Sequence, residues 1–106
     1  MADDRLNDEL FQAARNYNDI TWEDPDGDRK LKGILQRGMT RLDKIAGEKL
    51  TYEEGTDGRE LLLDYSRYAR SGTLPDFEDD FSSELLELHM DQEVQRYAET
   101  ADSNVQ

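Results

Sequence analysis

Apolar residues recur along this chain at three- and four-residue steps, and no stretch alternates apolar with polar positions for long. That periodicity predicts an all-α protein. Leu6, Leu10, Ala13, Ala14 and Tyr17 form a first stripe behind Asp3 and Asp4, whose charges suit a helix start. Asn18 to Asp28 holds Pro25 and Gly27 among acids and reads as a turn carrying Trp22. A second helix follows from about Asp28 to Ala46. Leu31, Ile34, Leu35, Leu42 and Ile45 share its apolar stripe with Gly38, and Gly47 is placed to stop it.

Glu48 to Gly58 contains Leu50 and Tyr52 but also two glycines, and reads as a loop with room for a short extended piece. Asp57 with Glu60 resembles a capping box for a third helix reaching about Ser71, with Leu61, Leu62, Tyr65, Tyr68 and Ala69 on one face. Leu63 and Arg70 face away from that stripe. Thr73, Pro75 and the acids Asp76, Glu78, Asp79 and Asp80 are suited to open a fourth helix, whose stripe is Phe77, Phe81, Leu85 and Leu88. Leu86, Met90, Val94 and Tyr97 make a second stripe on roughly the opposite side, which a small domain cannot also bury. Residues 98–106 are polar and patternless, a flexible tail. The expected architecture is one helical domain over 1–97: a small bundle of about four helices, the C-terminal one long, then a mobile tail.

Composition narrows the picture. A chain of 106 residues with 35% hydrophobic and 37% charged positions builds one lean core. Its 26 acids against 13 bases give a net charge of −13, which opposes generic binding to nucleic acid or to an anionic membrane. There is no cysteine, hence no disulfide framework, thiolate metal site or cysteine nucleophile. No window approaches the roughly 18 apolar residues of a membrane span, and the N-terminus lacks the basic and apolar regions of a signal peptide. A soluble, intracellular protein is expected.

The charge is unevenly spread. Residues 1–28 carry nine acids against two bases, residues 29–47 six bases against one acid, and the remainder sixteen acids against five bases. The second helix is therefore a basic island, with Lys30, Arg37, Arg41 and Lys44 on a stripe about a quarter-turn from the apolar one. Pairing with an acidic surface of a neighbouring copy is one reading of that stripe; a solvated face with ion pairs inside the chain is the other. For Leu86, Met90, Val94 and Tyr97, four apolar residues at helical spacing favour a protein-contact strip over scattered exposure.

Catalytic and metal chemistry find little to stand on. Asp24, Asp26 and Asp28 begin like a calcium loop, but Arg29 replaces the glycine and Leu35 the bidentate glutamate that such a loop needs, so a helix-initiating turn is the better reading. His89 is the only histidine and reads as a lone surface residue, while acid pairs such as Asp79 with Asp80 are uninformative in so acidic a chain. No phosphate loop, nucleophile elbow or zinc motif occurs. The sequence points to no enzyme, no cofactor and no metal.

Two runs carry a resemblance. Asp19-Ile20-Thr21-Trp22 through Pro25 and Asp28, then Arg37-Gly38 and Ile45-Ala46-Gly47, resembles the N-terminal half of tailed-phage head-tail connector proteins. Arg59-Glu60-Leu61-Leu62-Leu63-Asp64-Tyr65-Ser66-Arg67-Tyr68, then Ser71-Gly72, Phe77, Phe81, Leu85 and Leu88, resembles their C-terminal half, so the similarity spans about residues 17 to 90. These are patterns of hydrophobic and small residues rather than a catalytic signature. The resemblance implies a small helical adaptor of the virion, assembled in the host cytoplasm. It would form a ring beneath the portal, extend the DNA channel and dock neck or tail-completion proteins. DNA would pass without specific binding, since acidic walls repel phosphates. The strip of Leu86, Met90, Val94 and Tyr97 would then dock on the portal ring, and the basic stripe would join copies head to tail. The rival expectation is a soluble acidic regulator, such as a DNA mimic that occupies a basic protein.

Overall fold

The computed structural model describes the backbone of residues 3–104; the side chains of Gln92 and of residues 95–104 lie outside the described set. Helix makes up 71% and no strand occurs among the described residues. The all-α expectation holds, with five helices there rather than about four.

Helix α1 spans Asp8–Tyr17. Its cap is Asn7, in extended backbone, whose side chain accepts from the Leu10 amide at 2.9 Å. The helix thus begins later than Asp3 and Asp4 suggest: the Asp3 carboxylate is taken up by Arg5, and Asn7 supplies the cap. At its end Asn18 donates from Nδ2 to the Ala14 carbonyl (2.9 Å) and to Ser66 Oγ (3.0 Å), a link to the third helix.

Helix α2, Pro25–Ala46, starts three residues earlier than expected, with Asp24 as cap and proline at the first position, where its missing N–H costs nothing. Asp26 and Asp28 occupy the first turn, as a helix-initiating reading requires, and Gly47 closes the helix at φ 85°. Helix α3 is Asp57–Arg70. Thr56, not Asp57, caps it: Thr56 Oγ1 accepts from the Arg59 amide at 3.2 Å.

The expected fourth helix is broken. A 3-10 turn at Leu74–Asp76 leads into the short α4, Phe77–Asp80, and α5 runs over Ser82–Asn104. Phe81 leaves helical geometry at φ −110°, ψ 22°, which brings its ring within 5.1 Å of Phe77 and edge-on to Tyr68 at 5.6 Å. Tyr68 also donates its hydroxyl to Asp80 at 2.7 Å. Aromatic packing thus takes precedence over straight helix continuation. Beyond the bend, α5 continues through most of the segment that the sequence pattern assigns to a tail.

The core is a single cluster. Helix α2 lies at its centre and packs on α3 and α5, while α1 lies on α3. Leu31, Leu35, Met39 and Leu42 of α2 meet Leu61, Leu62 and Tyr65 of α3, Leu10, Phe11 and Ala14 of α1, and Phe77, Leu85 and Leu88. Each such leucine contributes about 1.5–3 kcal/mol by leaving water. Ile45, Tyr68, Ala69 and Phe81 are half-buried on its rim, as is Leu63, which the helical spacing places facing away. The radius of gyration, 15.5 Å, exceeds the roughly 13 Å of a compact domain this size. The excess follows from α5, whose described burial ends at His89.

The N-terminal segment is clamped to the far end of α2. Arg5 bonds Asp3 (2.6 and 3.0 Å), Asp43 (2.8 and 3.1 Å) and the Leu50 carbonyl (2.7 Å), with its guanidinium 5.1 Å from the Tyr52 ring centre. Hydrogen bonds from the Arg5 side chain and backbone lower Asp3 from the ordinary 3.8 to about 2. A depressed carboxylate contributes stability above its unfolded value and loses it as pH falls through the folded one. Stability should therefore fall between about pH 4 and pH 2, and Asp3→Asn should flatten part of that slope in acid unfolding followed by circular dichroism. An unchanged slope would exclude Asp3 as a contributor.

Candidate docking surfaces

Two surfaces gather the residues singled out by pattern. The first is on α5. At 100° per residue, turning Leu85 and Leu88 into the core sends Leu86, Met90 and Val94 to the other side. They are 58%, 52% and 65% exposed, whereas Leu85 and Leu88 are each 6% exposed. Tyr97, the fourth residue of the expected strip, has its side chain outside the described residues. By the same rotation Glu87 and Asp91 border the strip on one side and Glu93 on the other, all exposed. His89 sits between strip and core. Its Nδ1 lies 3.1 Å from the Ile45 carbonyl, which can only accept, so Nδ1 carries the proton and ties α5 to the last turn of α2. Nε2 is left facing Glu93 at 3.4 Å.

The second surface is on α2. The structure divides the basic stripe: Arg37, Arg41 and Lys44 line one groove, while Lys30 belongs to another cleft. The groove has a volume of about 530 Å³ and is completed by Gln36, Thr40, Tyr65, Leu74, Phe77 and Glu78. Its wall is apolar where α3 and the 3-10 turn come up beside α2, and its rim is basic. Arg41 grips Glu78 with two bonds, Nη2 to Oε1 at 2.6 Å and Nε to Oε2 at 3.1 Å. These bonds hold the Arg41 guanidinium above its ordinary pKa. Among the described residues, Arg41 is the member of the stripe with an ion pair inside the chain.

Lys30 borders a cleft of about 120 Å³ with Ile20, Trp22 and Arg70. Trp22 is 54% exposed, and its backbone carbonyl accepts from the Arg15 guanidinium. A third cleft, of about 240 Å³ between α3 and α5, collects Asp57, Glu60, Asp64, Glu84 and Glu87 around Leu61 and Phe81. At its edge Tyr17 donates its hydroxyl to Asp64; burial first, then that bond, pushes the phenol up to about 12.

Leu86, Met90 and Val94 are exposed as the sequence pattern expects, and so are all four cations of the basic stripe, three of which share the groove. The pattern missed Leu74, Tyr65 and Glu78 as groove residues. They come from three separate elements, and no periodicity within one helix relates them to Arg37 or Lys44. Glu78 reads in the sequence as a helix-start acid, and its pairing with Arg41 spans 37 residues of chain. No helix among the described residues is long and apolar enough to cross a membrane. No family model matches the chain, and no curated protein or solved structure matches it either.

Proposed function

We propose that this protein is a non-catalytic structural adaptor, a head-tail connector of a tailed phage that assembles as a ring under the portal and docks neck or tail components. The observation that carries the reading is the α5 strip: three large apolar side chains, each more than half exposed, on the face opposite a core stripe of the same helix. Such a strip is costly for a free protein and useful for one that is covered by a partner. The resemblance over residues 17 to 90 names the partner as a portal ring. The −13 charge suits a conduit, because acidic walls let DNA slide where basic ones would bind it through counterion release. The basic island on α2 weighs against a DNA mimic, since it interrupts any continuous phosphate-like surface.

Co-sedimentation with a tailed-phage portal ring tests the reading. Saturable binding at one copy per portal subunit is expected at physiological salt. Val94→Asp should weaken binding at least about tenfold while leaving helical content unchanged. Loss of the fold in that variant would assign the stripe to the core. Absence of binding by the folded wild-type chain, with capture of a basic DNA-binding protein instead, would replace the connector by the acidic regulator.

A further inference from the structure

We infer that the groove of Arg37, Lys44, Tyr65 and Leu74 receives α5 of a second copy of this chain, with Leu86 and Met90 on its apolar wall and Glu87 and Asp91 against its basic rim. The inference rests on the ring reading and names the contact that would join neighbouring copies.

The two surfaces match in chemistry and length. The groove offers an apolar wall bordered by cations, and the strip offers apolar side chains bordered by carboxylates. Arg37 to Lys44 rises about 10 Å along α2, and Leu86 to Asp91 about 8 Å along α5. Arg41 is already held by Glu78, so Arg37 and Lys44 are the rim charges that meet a partner. In a chain of net charge −13 two copies repel, and the basic island is where that repulsion reverses locally.

The contact has to form between chains. Leu85 and Leu88 fix α5 to its own core, so the opposite face cannot turn into the groove of the same molecule. Strip and groove are also different surfaces, so each copy gives one and receives the other. That is a heterologous contact, the kind that closes rings. Leu86 and Met90 lie on the part of α5 alongside the body. Val94, a turn beyond His89, is left for the portal.

Sedimentation velocity of the full chain at about 0.5 mM protein and about 50 mM salt tests the contact, since exposed charges are then weakly screened. The wild type should self-associate and dissociate at about 1 M salt. Arg37→Glu with Lys44→Glu should weaken association at least about tenfold, and so should Glu87→Lys with Asp91→Lys. An equimolar mixture of the two variants should restore it, because the two unaltered surfaces pair and the two reversed surfaces pair. Leu86→Gln tests the same contact without changing either set of charges and should also leave a monomer. A monomeric wild type, variants that associate as the wild type does, or a mixture that stays monomeric with native helical content would each overturn the assignment. Portal binding by a chain that is monomeric alone would refute the α5-to-groove contact and spare the connector. Self-association without portal binding would refute the connector and spare the contact.

Discussion

Asp43→Ala should lower the free energy of unfolding by about 2–4 kcal/mol, measured by urea denaturation. The carboxylate is 16% exposed and accepts four hydrogen bonds: Arg5 Nη1 at 3.1 Å, Arg5 Nη2 at 2.8 Å, the Leu50 amide at 3.0 Å and the Tyr52 hydroxyl at 2.8 Å. Alanine leaves the Leu50 amide without this partner, and a buried donor left unpaired costs about 1–3 kcal/mol. Arg5 loses two bonds but keeps Asp3 and the Leu50 carbonyl, and Tyr52 keeps the Met39 carbonyl at 3.1 Å. These surviving partners place the expected cost below the full penalty for an orphaned buried charge. Burial, then the bond to Asp43, raises the Tyr52 phenol above its ordinary value, which favours the neutral donor form. A loss below about 0.5 kcal/mol would mean that the clamp behaves as a surface ion pair.

Asp43 also marks the limit of what the sequence shows. It is the lone acid of the basic island, and nothing in its spacing relates it to Arg5 or to the loop. Its partners lie 38, 7 and 9 residues away, brought together only when α2 has packed and the chain has turned at Gly47. The stripes of α2, α3 and α5 were legible because a helix that buries one face must repeat every three or four residues. Met39 and Ala46 complete the buried face of α2: they follow Leu35 and Leu42 by four residues each, and so fall on the same stripe.

Tyr52 was illegible for another reason. Its backbone is left-handed at φ 56°, and its ring is 3% exposed in a segment whose sequence reads only as a loop with room for a short extended piece. The bend at Phe81 belongs to the same class: Phe77 and Phe81 stand four apart, as in an uninterrupted helix, and only Tyr68 from α3 reveals that the rings pack better with the helix broken. For the candidate site, the exposed strip could be read from one helix alone. The groove could not, because its apolar wall is assembled across α2, α3 and the 3-10 turn.

Gly38 and Gly33 set the last expectation, opposite signs for one substitution on one helix. Both lie inside α2, where alanine is intrinsically better than glycine by about 0.8–1.0 kcal/mol. At Gly33 an added Cβ would meet one atom, Arg37 Nη1 at 3.7 Å, so Gly33→Ala should stabilise by about 0.5–1 kcal/mol. At Gly38 it would fall 2.6 Å from Leu62 Cδ1, 2.8 Å from Tyr65 Cδ1 and 3.1 Å from Tyr65 Cε1. Neither neighbour has room to retreat: Leu62 is wholly buried, and the Tyr65 ring is packed edge-on to Phe77 at 5.4 Å. α2 and α3 must therefore separate, and the overpacking should outweigh the propensity gain. Gly38→Ala should destabilise by about 1–2 kcal/mol and Gly38→Leu by about 3 kcal/mol or more in chemical denaturation. Because Tyr65 is also a wall of the α2 groove, Gly38→Ala should weaken self-association while Gly33→Ala leaves it intact. Equal signs at the two glycines would show that α2 and α3 approach less closely than these distances, and the groove they frame would then lack a fixed wall for α5 of a neighbouring copy.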